Sequence, residues 1–451
     1  MSSFEVRGKK ISVIGMARSG VAVAHLLNSK GATLFISDNG KKENLESEIA
    51  RLAEENIPHE IGRHTERVYD CSLLVVSPGV PSNAQVVIEA QKRNIKVVSE
   101  LEIGSLFCKA SIVAITGSNG KTTTTTLLGR VLGDAKKKHV VAGNIGTAFS
   151  SVVLELAPAD IAVLEVSSFQ LDHIETFRPR ISVILNITED HMDRYEHSME
   201  KYAASKARVF ENQKAGDVLI YDADDEWCRK EAALAKCRTI GFSLKSTRDE
   251  GAFVDKGLLV TVIDGKRTEV IPCGEISIKG MHNLYNSMAA TLVGQLLGVG
   301  SASIRSTLKN FKGVEHRLEF VRELDGVRYY NDSKATNVDS VWYALHAFSE
   351  PIVLLLGGRD KGNDYNRLTD PVKDRVKAIV AIGESADKVE KAFQEITSVT
   401  RADSMDGAIQ KAKSLSVSGD VVLLSPACAS FDWFRNYEHR GQVFKELVNR
   451  L

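Results

Sequence analysis

The chain has 451 residues, too many for one ordinary domain and enough for about three. Lys plus Arg and Asp plus Glu each number 58, for a formal net charge of zero, so charge favours neither nucleic acid nor an anionic membrane surface. No run approaches the ~18 apolar residues of a membrane span, the opening residues lack a signal-type apolar core, and the six cysteines form no Cys-x-x-Cys pair, so a cytoplasmic protein with reduced thiols is expected.

Short β-branched runs alternate with helix-like stretches, which predicts α/β architecture with mainly parallel sheets. The pattern starts afresh three times, giving expected domains over 1–108, 109–314 and 315–451. In the first, a strand over 11–14 meets Gly15-Met16-Ala17-Arg18-Ser19-Gly20 and a helix to about residue 29; a second strand ends at Asp38. This resembles a dinucleotide fingerprint with Ala17 at the middle glycine, and predicts a Rossmann-like N-terminal domain. A third strand over 73–76 runs into Ser77-Pro78-Gly79-Val80-Pro81, a turn at a strand's carboxyl end where ligands of open α/β sheets bind.

The second domain opens on a strand over 112–115, then Thr116-Gly117-Ser118-Asn119-Gly120-Lys121-Thr122-Thr123, then a helix over about 123–132. A strand, a glycine turn and a helix start make a phosphate-binding loop: backbone N–H groups cradle phosphate oxygens, Lys121 reaches the β/γ-phosphates and the Thr122 hydroxyl sits on Mg²⁺. The general pattern's first glycine is missing, since position 115 is Ile. A P-loop ATPase-type domain is expected, with strands over 161–166, 181–185, 218–221 and 258–262 and a helix over 286–297. Glu165 ends a buried run beside the loop, where a nucleotide-bound Mg²⁺ is usually held. The stretch Asn186-Ile187-Thr188-Glu189-Asp190-His191-Met192-Asp193-Arg194-Tyr195 is rich in hard oxygen ligands and holds one imidazole. Lys206 lies on a helix with Tyr202 one turn before it; by itself it reads as a solvated lysine. Asn283 and Asn286 open a helix and either cap it or bind a base or ribose.

The third domain reads as a second open α/β sheet. Three polar loops follow its strands: Asp332-Ser333-Lys334-Ala335-Thr336-Asn337, Gly357-Gly358-Arg359-Asp360-Lys361, and Ser425-Pro426-Ala427-Cys428-Ala429-Ser430-Phe431-Asp432. Three such loops on one sheet edge suit a small charged molecule, and two lysines among them suit carboxylates or phosphates.

Taken in order, these segments resemble the bacterial Mur ligases over essentially the whole chain, most nearly the MurD branch. The strings that carry the resemblance are 115–123, Gly143-Asn144-Ile145-Gly146, Glu165-Val166-Ser167-Ser168-Phe169-Gln170-Leu171, 186–195, 331–337 and 425–432. The last, with Arg435-Asn436-Tyr437-Glu438-His439-Arg440-Gly441, separates that branch from relatives that add L-lysine or diaminopimelate. The Asp-Asn-Pro-Arg motif of those relatives is absent.

The resemblance implies an ATP-dependent amide-bond ligase. The carboxylate of UDP-N-acetylmuramoyl-L-alanine attacks the γ-phosphate, and the amine of D-glutamate then displaces phosphate from the acyl phosphate. It further implies that Gly117, Ser118, Asn119, Gly120, Lys121, Thr122 and Thr123 hold ATP phosphates. Thr122 and Glu165 would hold a first Mg²⁺, and His191 a second together with Lys206 in carbamylated form; Mn²⁺ could replace Mg²⁺. Asn283, Asn286, Arg317 and Asp332 would contact the nucleotide. Lys334, Thr336, Lys361, Ser430 and Phe431 would hold D-glutamate or the acyl phosphate. Ser19, Asp38, Ser77, Gly79, Asn144 and Ser167 would bind the UDP-substrate. The implied catalytic set is Lys121, Glu165, His191, Lys206 and Lys334, in a monomer with small-molecule partners only. A folylpolyglutamate-synthase-like ligase is the alternative within the same chemistry. An NAD-dependent oxidoreductase, resting on the Gly15 turn and Asp38, leaves the phosphate loop unexplained.

Overall fold

The computed structural model describes residues 5–42, 45–144, 146–360 and 362–451. Three separate sheets form, one for each restart of the sequence pattern. The first contains β1 (Lys10–Ile14), β2 (Thr33–Asp38), β3 (His59–Ile61), β4 (Leu73–Val76) and β5 (Lys96–Ser99), all parallel, in the order β3-β2-β1-β4-β5. Strand order reverses between β1 and β4, so a crevice opens outside their carboxyl ends. Val13, Ile36 and Val75 are fully buried, as parallel strands covered on both faces require.

The second sheet has nine strands. They are β6 (Ser111–Thr116), β7 (His139–Gly143), β8 (Ile161–Glu165), β9 (Ile181–Ile184), β10 (Val218–Asp222), β11 (Arg238–Ser243), β12 (Gly251–Asp255), β13 (Leu258–Ile263) and β14 (Lys266–Pro272). Their order is β14-β13-β12-β11-β10-β9-β6-β8-β7. The seven strands from β12 to β7 in this order are parallel, but β12, β13 and β14 form an antiparallel meander, which mainly parallel expectations did not include. The turns explain it. Lys256-Gly257 and Asp264-Gly265 have positive φ at both residues (48° and 78°, 52° and 73°), the mirror-image turn whose twist matches a hairpin.

The third sheet contains β15 (Glu319–Leu324), β16 (Val327–Asn331), β17 (Ile352–Gly357), β18 (Val376–Ile382), β19 (Ser398–Ala402) and β20 (Val421–Leu424), in the order β15-β16-β20-β17-β18-β19. β15 is antiparallel to β16 across the turn Asp325-Gly326; the rest are parallel. Leu354, Val380 and Leu423 are fully buried. Burying each such side chain contributes about 1.5–3 kcal/mol before chain entropy is counted.

The chain divides into two compact units. One runs to Glu275 and adds Tyr285–Lys309; it contains the first two sheets. The other takes Ile276–Leu284 and Asn310–Leu451, with the third sheet. The helix after the phosphate loop spans Lys121–Asp134, and the one expected over 286–297 spans Met281–Leu296. No helix among the described residues is long and apolar enough to cross a membrane.

Candidate active site

The loop between β6 and the helix Lys121–Asp134 is built to leave its backbone bare. Gly120 adopts φ +84°, and a Cβ there would lie 2.3 Å from Asn286 Oδ1, so only glycine fits. The Asn286 carboxamide therefore packs on the loop, and its Oδ1 also accepts from Thr124 Oγ1 at 3.1 Å. The loop is braced from the β9 side. Asn186 Oδ1 accepts from Asn119 N–H (2.8 Å), its Nδ2 donates to Asn119 O (3.1 Å), and Ser118 Oγ donates to Thr188 O (2.7 Å). Lys121 Nζ donates to Gly117 O and Ser118 O, both at 2.7 Å. Asn186 and Thr188 thus shape the loop itself, a role their place in a polar string did not disclose.

Thr122 Oγ1 donates to Glu165 Oε2 at 2.8 Å, and Asn144 Nδ2 donates to Glu165 Oε1 at 3.1 Å. Glu165 ends β8 and is 2% exposed. Register explains the meeting: Glu165 pairs with Ile115 of β6 and with Gly143 of β7, so both neighbouring turns deliver a polar side chain to it. Thr123 Oγ1 is buried with no hydrogen-bond partner among the described residues. A carboxylate, a hydroxyl and an unsatisfied buried hydroxyl at a helix start fit a hydrated Mg²⁺ and phosphate oxygens.

Lys206, near the end of the helix Met199–Ala207, is only 1% exposed, against the solvated reading of its local sequence. Its Nζ donates to Gly117 O at 2.9 Å and lies 4.4 Å from the Tyr202 ring centre. Burial, reinforced by the charge of Lys121, pulls its pKa well below the ordinary lysine value, against the opposing pull of Asp190. His191 is half-buried in left-handed backbone (φ +54°), with Nε2 3.6 Å from Asp190 Oδ2 and its ring edge-on to Phe169 at 4.8 Å. Phe169 stacks on Tyr195, and Tyr195 meets Tyr202, so an aromatic run connects the His191 and Lys206 neighbourhoods. Ser167 starts the next short helix and its hydroxyl donates to Gln170 Oε1 at 3.2 Å.

The carboxyl ends of β1, β2 and β4 enclose a cavity of about 550 Å³. Ser19, Asp38, Ser77, Gly79 and Asn144, picked out from the sequence, all line it, and so does His64, which was not. The Gly15–Gly20 turn is tight: a Cβ on Gly20 would lie 1.8 Å from Gly15 O. Ser77 Oγ donates to Gly15 O at 3.0 Å. Asp38 accepts from Met16 N–H and Gly40 N–H, both at 2.6 Å, so its carboxylate first of all holds two loops together. Asn144 therefore lines the cavity with one side of its residue and touches the Glu165 carboxylate with its amide.

In the second unit, Asp332 is 3% exposed; it accepts from Ser425 Oγ (2.8 Å) and Leu318 N–H (3.2 Å). Burial raises its pKa to about 6 although the Arg317 charge pulls it down. Arg317 Nε is buried without a hydrogen-bond partner among the described residues. Asn283 Nδ2 donates to Lys279 O at 2.8 Å. Lys334 Nζ stands 5.3 Å from the Tyr437 ring centre, Thr336 is half-buried beside it in the same loop, Ser430 is buried and Phe431 is 60% exposed. Lys361 lies outside the described residues. Arg440, 1% exposed, joins two of the polar loops: Nε donates to Ser333 Oγ (2.9 Å), Nη2 to Ser333 O (2.7 Å), and both Nη1 and Nη2 to Cys428 O (3.1 Å each).

Three family profiles match this chain: the MurD N-terminal domain over residues 10–86, the Mur ligase middle domain over 115–294, and the Mur ligase glutamate ligase domain over 316–428. The UDP-N-acetylmuramoylalanine–D-glutamate ligase of Salinibacter ruber is 47% identical, and that of Chloroherpeton thalassium 44%, each alignment covering 100% of both chains. Among solved structures, MurF from Acinetobacter baumannii (TM-score 0.63, 17% identity) covers 97% of this chain and 93% of its own. A pseudomurein peptide ligase type C from Methanothermus fervidus (TM-score 0.62, 20% identity) covers 98% and 100%. At such identities these two show the fold alone. Profiles over most of the length and full-length relatives above 40% identity place the chain in the Mur ligase family, with an N-terminal domain of the MurD type.

Proposed function

We propose that this chain is a cytoplasmic, ATP-dependent ligase of peptidoglycan precursor synthesis that joins D-glutamate to UDP-N-acetylmuramoyl-L-alanine. The observation that carries the reading is Asn144. It lines the cavity of the first sheet and hydrogen-bonds Glu165, which in turn accepts from Thr122 of the phosphate loop. One end of a ligand in that cavity therefore comes up against the loop that holds a triphosphate. That is the placement needed for a substrate carboxylate to meet a γ-phosphate.

Chemistry dictates the rest. A carboxylate is a poor acceptor for an amine because oxide is a poor leaving group. Transfer of the γ-phosphoryl group to the carboxylate oxygen releases ADP and leaves an acyl phosphate; attack by the D-glutamate amine on the acyl carbon expels phosphate and forms the amide. Bound Mg²⁺ would supply neutralisation of the phosphate charge. Gly117 to Thr123 present backbone N–H groups and hydroxyls to phosphate oxygens, and Lys121 adds its charge. Thr122 and Glu165 provide the oxygen ligands of one ion. His191 and Lys206 serve a second, Mn²⁺ substituting for either ion. Lys206 suits carbamylation: a buried neutral amine attacks CO₂, loses a proton and becomes an anionic carbamate. A lysine thereby becomes an oxygen ligand.

Ser19, Asp38, Ser77, Gly79, Asn144 and Ser167 bind the UDP-substrate. Lys334, Thr336, Lys361, Ser430 and Phe431 hold D-glutamate and the acyl phosphate, while Asn283, Asn286, Arg317 and Asp332 contact the nucleotide. The working form is a monomer of three domains, 1–108, 109–314 and 315–451. The test is phosphate release with ATP, UDP-N-acetylmuramoyl-L-alanine and D-glutamate, each omitted in turn. Release should require all three. Equal turnover with L-lysine in place of D-glutamate would overturn the assignment.

A further inference from the structure

His64 follows β3 and lines the cavity of the first sheet, yet its nearest hydrogen-bond partner is buried. Its Nδ1 lies 2.7 Å from Ser37 Oγ, and Ser37 is fully buried on β2. The same hydroxyl oxygen lies 2.7 Å from Glu60 Oε1. Glu60 also accepts from Thr65 N–H (2.9 Å) and from Thr65 Oγ1 (2.6 Å). Burial pushes the Glu60 pKa up, but these hydrogen bonds together outweigh it, so the group sits below the usual carboxylate range and is ionised at neutral pH.

Proton counting then settles the ring. An ionised carboxylate only accepts, so Ser37 must give Glu60 its single proton. The equally short contact to His64 also needs a proton between its two atoms. Ser37 has none left, so the proton is on Nδ1. In a neutral imidazole that leaves Nε2 as a lone-pair acceptor. Among the described residues Nε2 has no hydrogen-bond partner, and the cavity is the open side of the ring.

Position decides what the acceptor meets. The Gly15–Gly20 turn and the helix start at Arg18 suit the diphosphate. The β2 end, where Asp38 and His64 stand, lies towards the sheet edge carrying β3, which is where the nucleoside end of such a ligand falls. Uracil carries an imide N–H between its two carbonyls, whereas cytosine has a bare acceptor nitrogen at that position.

We infer that His64, held as its Nδ1–H tautomer by Ser37 and Glu60, accepts the imide N–H of the uracil base and so selects uridine nucleotides. This rests on the first-sheet cavity being the UDP-substrate site. Among the described residues, the charged groups facing the ring are Glu60 from β3 and Asp38 from β2, with Arg18 across the cavity. Burial lowers the His64 pKa, and those two carboxylates only partly oppose it. The ring is thus neutral at pH 7, and selection should fade only as pH falls below the ordinary histidine range.

Calorimetric titration of the full chain with UDP, N3-methyl-UDP and CDP tests this. The wild type should bind UDP at least roughly tenfold more tightly than either analogue. His64→Phe should bind all three alike, with only the UDP affinity reduced. Ser37→Ala, which removes the tautomer's anchor without entering the cavity, should erode the same preference. Retained preference in His64→Phe overturns the inference while leaving the cavity as the UDP site. Absence of UDP binding by the wild type overturns both. Long-range ¹H–¹⁵N spectra of the wild type give an independent reading that does not depend on variants folding: a proton on Nε2 in place of Nδ1 refutes the mechanism.

Discussion

Two cations are buried to the same extent, one in each unit: Lys206 and Arg440 are each 1% exposed. Their surroundings differ. Arg440 directs its guanidinium nitrogens at three backbone carbonyls, of Ser333, Cys428 and Ala429, and at the Ser333 hydroxyl, all within 3.4 Å. Burial lowers its pKa to about 10, which still leaves it charged at neutral pH. Among the described residues Lys206 makes one hydrogen bond, to Gly117 O, and sits over an aromatic ring with Lys121 nearby. An ammonium has three protons to place and here places one, so the neutral amine is the better-matched form. A cation with its donors filled suits holding loops in place; a buried lysine whose surroundings favour the neutral amine is suited to covalent chemistry.

Exchanging the properties of these two residues should break the contrast. Lys206→Ala should lower turnover on the order of 10³-fold, measured as phosphate release with all three substrates, and millimolar acetate should return part of it by supplying the missing carboxylate. Lys206→Arg should be as inactive, because a guanidinium does not shed its proton and cannot react with CO₂. Activity near wild type in Lys206→Arg would end the carbamate reading. Arg440→Lys keeps the charge but cannot span Ser333 and Cys428 together. It should lower kcat/KM for D-glutamate by roughly 10²-fold, chiefly through KM, since small displacements of positioning groups cost about that much. The KM for ATP should stay within about twofold. Equal changes for both substrates would mean Arg440 only maintains the fold.

A smaller effect sharpens the picture of the phosphate loop. Gly120→Ala forces a Cβ into left-handed backbone, 2.3 Å from Asn286 Oδ1. Strain of about 1–2 kcal/mol should appear as weaker ATP-analogue binding by roughly tenfold. The double variant with Asn286→Ala should recover part of it, because the clash disappears while the backbone strain remains. No recovery would show that Asn286 does not pack on the loop when nucleotide is bound.

The sequence discloses the three sheets because β-branched runs and glycine turns are local signals. It discloses Thr122 and Glu165 because both end or follow such runs. It does not disclose Lys206's burial: one lysine on a nine-residue helix looks solvated until the fold brings Gly117 O against it. His64 was missed for the same reason, since its partner Ser37 is 27 residues away and on another element. The antiparallel meander was legible and overlooked. Asp264-Gly265 and Asp325-Gly326 are hairpin signals that the alternation of strands and helices obscured. What depends on long-range packing is hidden; what depends on turn chemistry can be read directly.

Asp222 provides the mildest test, and it concerns stability alone. It ends β10, is 6% exposed and accepts the Asp224 N–H at 2.8 Å. Burial, with Asp225 and Asp224 close by, raises its pKa to about 7 from 3.8. A carboxyl raised in the folded state binds its proton more tightly there than in the unfolded chain. Its contribution is therefore most favourable below pH 3.8, is lost as pH rises towards 7, and is constant above that. Asp222→Asn keeps an oxygen for the Asp224 N–H and removes the charge. At pH 8 denaturant unfolding of the variant should show a gain of about 1–3 kcal/mol, less than the full shift implies because the unfolded chain and local relaxation absorb part of it. At pH 4 the two proteins should be nearly equal, since both then carry a neutral group. A gain of the same size at both pH values would mean that packing, not the buried charge, sets the difference.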